Sequence, residues 1–107
     1  MEDLTRQKCV PCSGDVPPLT ADKIKLFHTQ VKDWEVIDNH HLEREYEFDD
    51  FKAALDFVNR VGTVAEAEGH HPDIYFTWGK AKLNIFTHAI DGLSTSDFIL
   101  AAKIDKL

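Results

Sequence analysis

Six histidines punctuate the chain, and three of them, His70, His71 and His88, are spaced so that they could act together. Imidazole is the side chain whose proton occupancy changes most readily near neutral pH, so a cluster of such rings can give and take protons within one reaction. His70 and His71 lead into one expected strand, and His88 closes the next. With Gly79-Lys80 as the turn between them, Trp78 faces Ala81 and position 71 faces position 88. Paired strand residues lie on the order of 5 Å apart, so the hairpin is expected to bring all three rings to one place. Taken singly, such histidines are most often polar surface residues; convergence on one hairpin base is what favours a site. Zinc ligation by three histidines is the competing chemistry, but neighbouring histidines are poorly spaced for one ion, and no metal is expected.

Four other residues belong with this cluster. Glu66 stands one helical turn before His70 and could orient an imidazole, or simply be a solvated helix charge. Pro72 resists helix at His71. Asp97 has the spacing of a helix cap, Ser94-x-x-Asp97. Trp78, with Tyr75 and Phe76, is either core or the wall of a pocket for a flat heteroaromatic ring. His28, His40 and His41 lack an identifiable converging partner and are expected at the surface. Cys9 and Cys12 make half of a zinc site. Their polar, proline-containing surroundings favour an incidental lead-in segment over a shared metal or a labile disulfide.

These residues must be positioned by a small protein. The chain has 107 residues, enough for one domain. Its formal net charge of −7, from 19 acidic and 12 basic residues, opposes direct nucleic-acid binding. No apolar run approaches the roughly 20 residues that span a bilayer. The start, Met1-Glu2-Asp3-Leu4, lacks the basic and apolar regions of a signal peptide, so a cytosolic protein is expected.

Hydrophobic periodicity supplies the elements. Residues 1–18 are expected to form an irregular arm, and 19–107 a single domain. Thr20 caps a helix carrying Ile24, Phe27, His28 and Val31. Trp34 to Ile37 and Leu42 to Phe48 read as a hairpin around Asp38-Asn39-His40, the second strand alternating apolar or long residues with Glu43, Glu45 and Glu47. Asp49 or Asp50 caps a long helix with Phe51, Ala54, Leu55, Val58, Val61 and Ala65 at helical spacing, and Gly69 stops it. The second hairpin runs from Asp73 to Trp78 and Ala81 to His88. A last helix follows Ser94. The order α-β-β-α-β-β-α predicts an α+β fold: one four-stranded antiparallel sheet from two hairpins, with three helices on one face.

The spaced run Glu66-x-x-x-His70-His71-Pro72, then five residues to Trp78, nine to His88 and eight to Asp97, resembles the signature of the pterin-4a-carbinolamine dehydratases. The likeness covers roughly residues 19 to 105. The lead-in Lys8-Cys9-x-Pro11-Cys12 with Pro17-Pro18-Leu19-Thr20 resembles that of microbial and plant relatives. The resemblance implies a lyase that removes water from a 4a-hydroxytetrahydropterin, giving the quinonoid dihydropterin and serving aromatic amino-acid hydroxylation, with no cofactor. It implies His70 and His88 as the acid/base pair, His71 as the substrate-orienting donor, and Glu66 and Asp97 as supports. One departure is Ala89, where animal members often carry a carboxylate. The resemblance also implies self-association through an outer strand, with a homodimer favoured over a homotetramer. It leaves two alternatives open: a dimerisation module of the transcription-coregulator type, and a paralogue serving another pterin pathway.

Overall fold

A computed structural model describes residues 3–9 and 17–107. Cys12 lies outside the described residues. Helix α1, Ala21–His28, starts where the Thr20 hydroxyl accepts the Lys23 N–H. It ends before Val31, which instead packs into the core. Strands β1, Glu35–Ile37, and β2, His41–Glu47, follow. Asp38 and Asn39 both take φ of 53° in the turn between them, the left-handed region that these two residue types tolerate best after glycine.

Helix α2, Phe51–Glu68, is capped by Asp50, whose carboxylate accepts the Ala53 N–H at 2.8 Å. Its buried stripe is Ala54, Phe57, Val61 and Ala65. Phe51 and Leu55, expected in that stripe, are exposed instead, so the helix is rotated toward Phe57. Gly69 terminates it at φ 65°, and the His70 N–H turns back to the Ala65 carbonyl at 3.2 Å. This left-handed stop aims the chain at the second hairpin.

That hairpin is β3, Asp73–Thr77, and β4, Lys80–Ile85. The four antiparallel strands are ordered β1-β2-β4-β3. Thr77 pairs with Lys80 and Asp73 with Asn84. The turn is therefore Trp78-Gly79, and the expected register is off by two residues. Glycine at φ 73° sits at the second turn position, and its carbonyl accepts the Phe48 N–H at 2.8 Å. A slip of two preserves which face each side chain occupies. Leu42, Ala81, Leu83 and Ile85 therefore all point into the core, while Glu43, Glu45, Lys80 and Lys82 pair across the opposite face.

The expected fourth strand also ends early. After Ile85 the chain makes one bridge, Thr87 with Gly92, and His88–Ile90 wind into a single 3-10 turn. Helix α3, Thr95–Ile104, is buried around most of its circumference, as suits a central helix. The arm supplies a lid for it: Leu4–Arg6 form a 3-10 turn where irregular chain was expected, and Leu4 is fully buried against the core cluster. Phe98, Leu100 and Ile104 of α3 meet the core face of the sheet in that cluster.

Candidate active site

The stop at Gly69 and the 3-10 turn at His88 lie at the same end of the second hairpin. Between them is a cleft of about 380 Å³ lined by Gly69, His70, His71, Pro72, Asp73, Phe86, Thr87 and His88. The three histidines do share one cavity, although the corrected register means that His71 and His88 are not strand partners. The convergence comes from the turn after Thr87, which carries His88 beyond the end of the ladder.

Each histidine has its own carboxylate. His70 Nε2 is 2.5 Å from Asp97 Oδ1. His71 Nε2 is 2.6 Å from Glu66 Oε1. His88 Nε2 stands 3.7 Å from Asp73 Oδ1, an ion-pair separation rather than a hydrogen bond. A carboxylate oxygen accepts, so in the first two contacts Nε2 carries the proton and Nδ1 is left to exchange one.

The environments differ sharply. The His70 and Asp97 side chains are 15% and 0% exposed, against 58% and 80% for His71 and Glu66. Asp97 is held by the first turn of α3: its Oδ2 accepts the Ser94 N–H at 2.8 Å and the Thr87 hydroxyl at 2.9 Å. Its cap role and its contact with His70 thus use different oxygens. The pair with Glu66 is solvated and correspondingly weak.

Trp78 does not join this group. It sits at the tip of the hairpin and is 67% exposed, and five strand residues at about 3.4 Å each separate it from the cleft by roughly 17 Å. An aromatic wall comes instead from Phe86, whose ring centroid is 4.1 Å from that of His88. The Phe86 ring also lies 4.7 Å from that of His40, tilted by 40°. His40 contacts His41, Nδ1 to Nδ1, at 3.0 Å, and Asp91 Oδ1 at 2.7 Å through Nε2. His40 and His41 are thus partnered, contrary to expectation.

Asp73, Phe86 and Thr87 escaped sequence reasoning. Thr87 had one visible signal: a hydroxyl on the same strand face as Leu83 and Ile85, which needs a buried partner. Behind the cleft, Glu68 accepts the Cys9 N–H at 3.1 Å and Lys103 Nζ at 2.7 Å. The Lys103 bond holds the Glu68 carboxyl below its ordinary pKa. Burial, reinforced by Glu68, pushes the Cys9 thiol up to about 11, which makes it a poor nucleophile. Among the described residues no group of three or more ligating side chains is arranged to hold a metal ion, and no helix is long and apolar enough to cross a membrane.

Comparison with known proteins shows the family and the fold. The family model described as pterin 4 alpha carbinolamine dehydratase matches residues 17–107. A protein of Rubrobacter xylanophilus named as a candidate pterin-4-alpha-carbinolamine dehydratase is 53% identical over 107 residues, covering all of both chains. One of Alkaliphilus metalliredigens with the same name is 54% identical over 107 residues, covering 99% of this chain and 96% of the relative. The crystal structure of a transcriptional coactivator/pterin dehydratase from Brucella melitensis superposes with a TM-score of 0.77, over 83% of this chain and 96% of that one. At 23% identity, that last likeness is one of fold.

Proposed function

The chain belongs to the pterin 4 alpha carbinolamine dehydratase family, and from that premise we propose that it is a hydro-lyase acting on a 4a-hydroxytetrahydropterin. The reaction breaks one carbon–oxygen bond at carbon 4a. The departing hydroxyl takes a proton and leaves as water; a ring nitrogen gives up its proton, and the electron pair it leaves forms the new double bond of the quinonoid dihydropterin. One protonated imidazole and one neutral imidazole balance this in each turnover and need no further reagent.

The observation that carries the reading is the single cleft lined by three imidazoles, each beside its own carboxylate. In this reading His70 and His88 exchange the two protons. His71, its Nε2–H held by Glu66, holds the substrate through Nδ1, which donates a hydrogen bond when the ring is protonated, and Asp97 steadies the ring of His70. The Phe86 ring, in contact with His88, offers a flat apolar surface to a planar guest. Pro72 stiffens the chain between His71 and β3. Each proton transfer is worth about 10²–10⁴-fold in rate.

Recycling of tetrahydropterin for aromatic amino-acid hydroxylation is the pathway role that fits this chemistry, and a cytosolic enzyme needing no cofactor is the corresponding picture. Dehydration of 4a-hydroxytetrahydrobiopterin, followed by absorbance, tests it. His70→Ala and His88→Ala are expected to abolish catalysis while leaving the circular dichroism spectrum unchanged. Wild-type turnover no faster than that of those variants would overturn the reading.

A further inference from the structure

Thr87 lies between two walls of the cleft and is 5% exposed. Its backbone closes the 3-10 turn that bears His88: the Thr87 N–H donates to the Gly92 carbonyl at 2.9 Å, and the Thr87 carbonyl accepts the Ile90 N–H at 3.2 Å. Its side chain points the other way, into the buried pocket around Asp97. There its Oγ1 lies 2.9 Å from Asp97 Oδ2 and 2.8 Å from Ser94 Oγ.

Proton counting orders this network. Asp97 Oδ2 can only accept, and of the two hydroxyls near it that of Thr87, at 2.9 Å against 3.4 Å for Ser94 Oγ, is the better placed to donate. That hydroxyl has one proton, so its contact with Ser94 must be accepted from the serine. The chain therefore runs one way, from Ser94 through Thr87 to Asp97. With the Ser94 N–H it occupies Oδ2 and leaves Oδ1 to His70.

We infer that Thr87 is a positioning residue for the proton chemistry: its hydroxyl fixes the Asp97 carboxylate so that His70 is held as the Nε2–H tautomer, with Nδ1 presented for exchange. The same residue anchors the His88 turn through its backbone, so one side chain links the supports of two imidazoles. A buried network of this kind is rigid only when every member is satisfied, and Thr87 is the member that touches both walls. The kinetic part of the inference rests on the dehydratase reading; the tautomer part stands without it.

The test compares Thr87→Val, which keeps the β-branched shape and removes the hydroxyl, with Thr87→Ser, which keeps the hydroxyl. Thr87→Val is expected to lower kcat for 4a-hydroxytetrahydrobiopterin about tenfold, the rate equivalent of one hydrogen bond to a charged group. KM should change little, and the pH–rate profile should move. Thr87→Ser is expected to restore most of the rate and the wild-type profile. Independently of turnover, ¹⁵N–¹H correlation spectra should show His70 as the Nε2–H form in the wild type and a mixture of tautomers in Thr87→Val. A folded Thr87→Val with wild-type kcat, profile and His70 tautomer would overturn the inference. If Thr87→Val fails to fold, the wild-type spectrum still decides: an Nδ1–H tautomer at His70 sinks it.

Discussion

At the scale of single residues, the three histidine–carboxylate pairs should answer very differently to mutation. Asp97 is wholly buried and accepts from His70, Thr87 and Ser94. Asp97→Asn keeps the shape but puts an amide donor where acceptors are needed. We expect kcat to fall on the order of a hundredfold through loss of the His70 tautomer, and urea unfolding to show a loss of about 2 kcal/mol. Glu66 sits in solvent beside an exposed His71, so Glu66→Gln should change kcat less than about threefold and stability by less than about 0.5 kcal/mol. Equal effects of the two variants would mean that burial does not set the importance of these carboxylates. The histidines, Glu66 and Asp97 were legible as residue types at telling intervals. Asp73, Phe86 and Thr87 were not, because their parts depend on where β4 stops and the 3-10 turn begins. Trp78 shows the converse: it belongs to the spaced pattern, yet a five-residue strand carries it to the far end of the hairpin.

Elements carry the next set of effects. Gly79 takes φ 73°, and a Cβ there would stand 3.1 Å from the Phe48 carbonyl oxygen. Gly79→Ala should therefore lower the urea midpoint by the equivalent of about 1–2 kcal/mol, with no change in the tautomer of His70 at the other end of the hairpin. The junction of α2, α3 and the arm has a pH signature. Glu68, paired with Lys103, holds its proton less tightly when folded than the ordinary value of 4.5. Its stabilisation is thus complete above that value and is lost as pH falls through the lower folded value. Glu68→Gln should remove that part of the acid dependence of the melting temperature; an unchanged acid limb would mean that the Lys103 and Cys9 contacts contribute nothing. The order and type of the elements were readable because two-residue and 3.6-residue periodicities are imposed by burial itself. The register of the second hairpin was not. Glycine can serve at either position of a two-residue turn, and a two-residue slip leaves every apolar side chain on the core face, so the pattern is blind to the difference. The 3-10 turn of the arm was hidden for another reason: its burial rests on Leu4 alone, which has no periodicity to read.

For the molecule as a whole, the unmet demand is on the β3 side. Among the described residues, β1 and β3 are the edge strands of the sheet. Ile74 and Tyr75 of β3 are exposed, and beside that strand α2 exposes Phe51 and Leu55, with the Phe51 and Phe76 rings 5.0 Å apart. An unpaired edge next to exposed apolar side chains is a place where soluble proteins self-associate or aggregate. A closed two-fold arrangement satisfies it with identical surfaces, and it covers the very residues that the sequence pattern assigned to the core stripe of α2. We therefore expect light scattering to give a mass of twice the 12.2 kDa of one chain, or four times if dimers pair again. Ile74→Lys sets two like charges near the axis and should shift the mass to that of one chain. A monomeric wild type would remove this surface as an interface. An Ile74→Lys protein that stays assembled would move the contact to β1 or to the exposed end of α1 at Leu26.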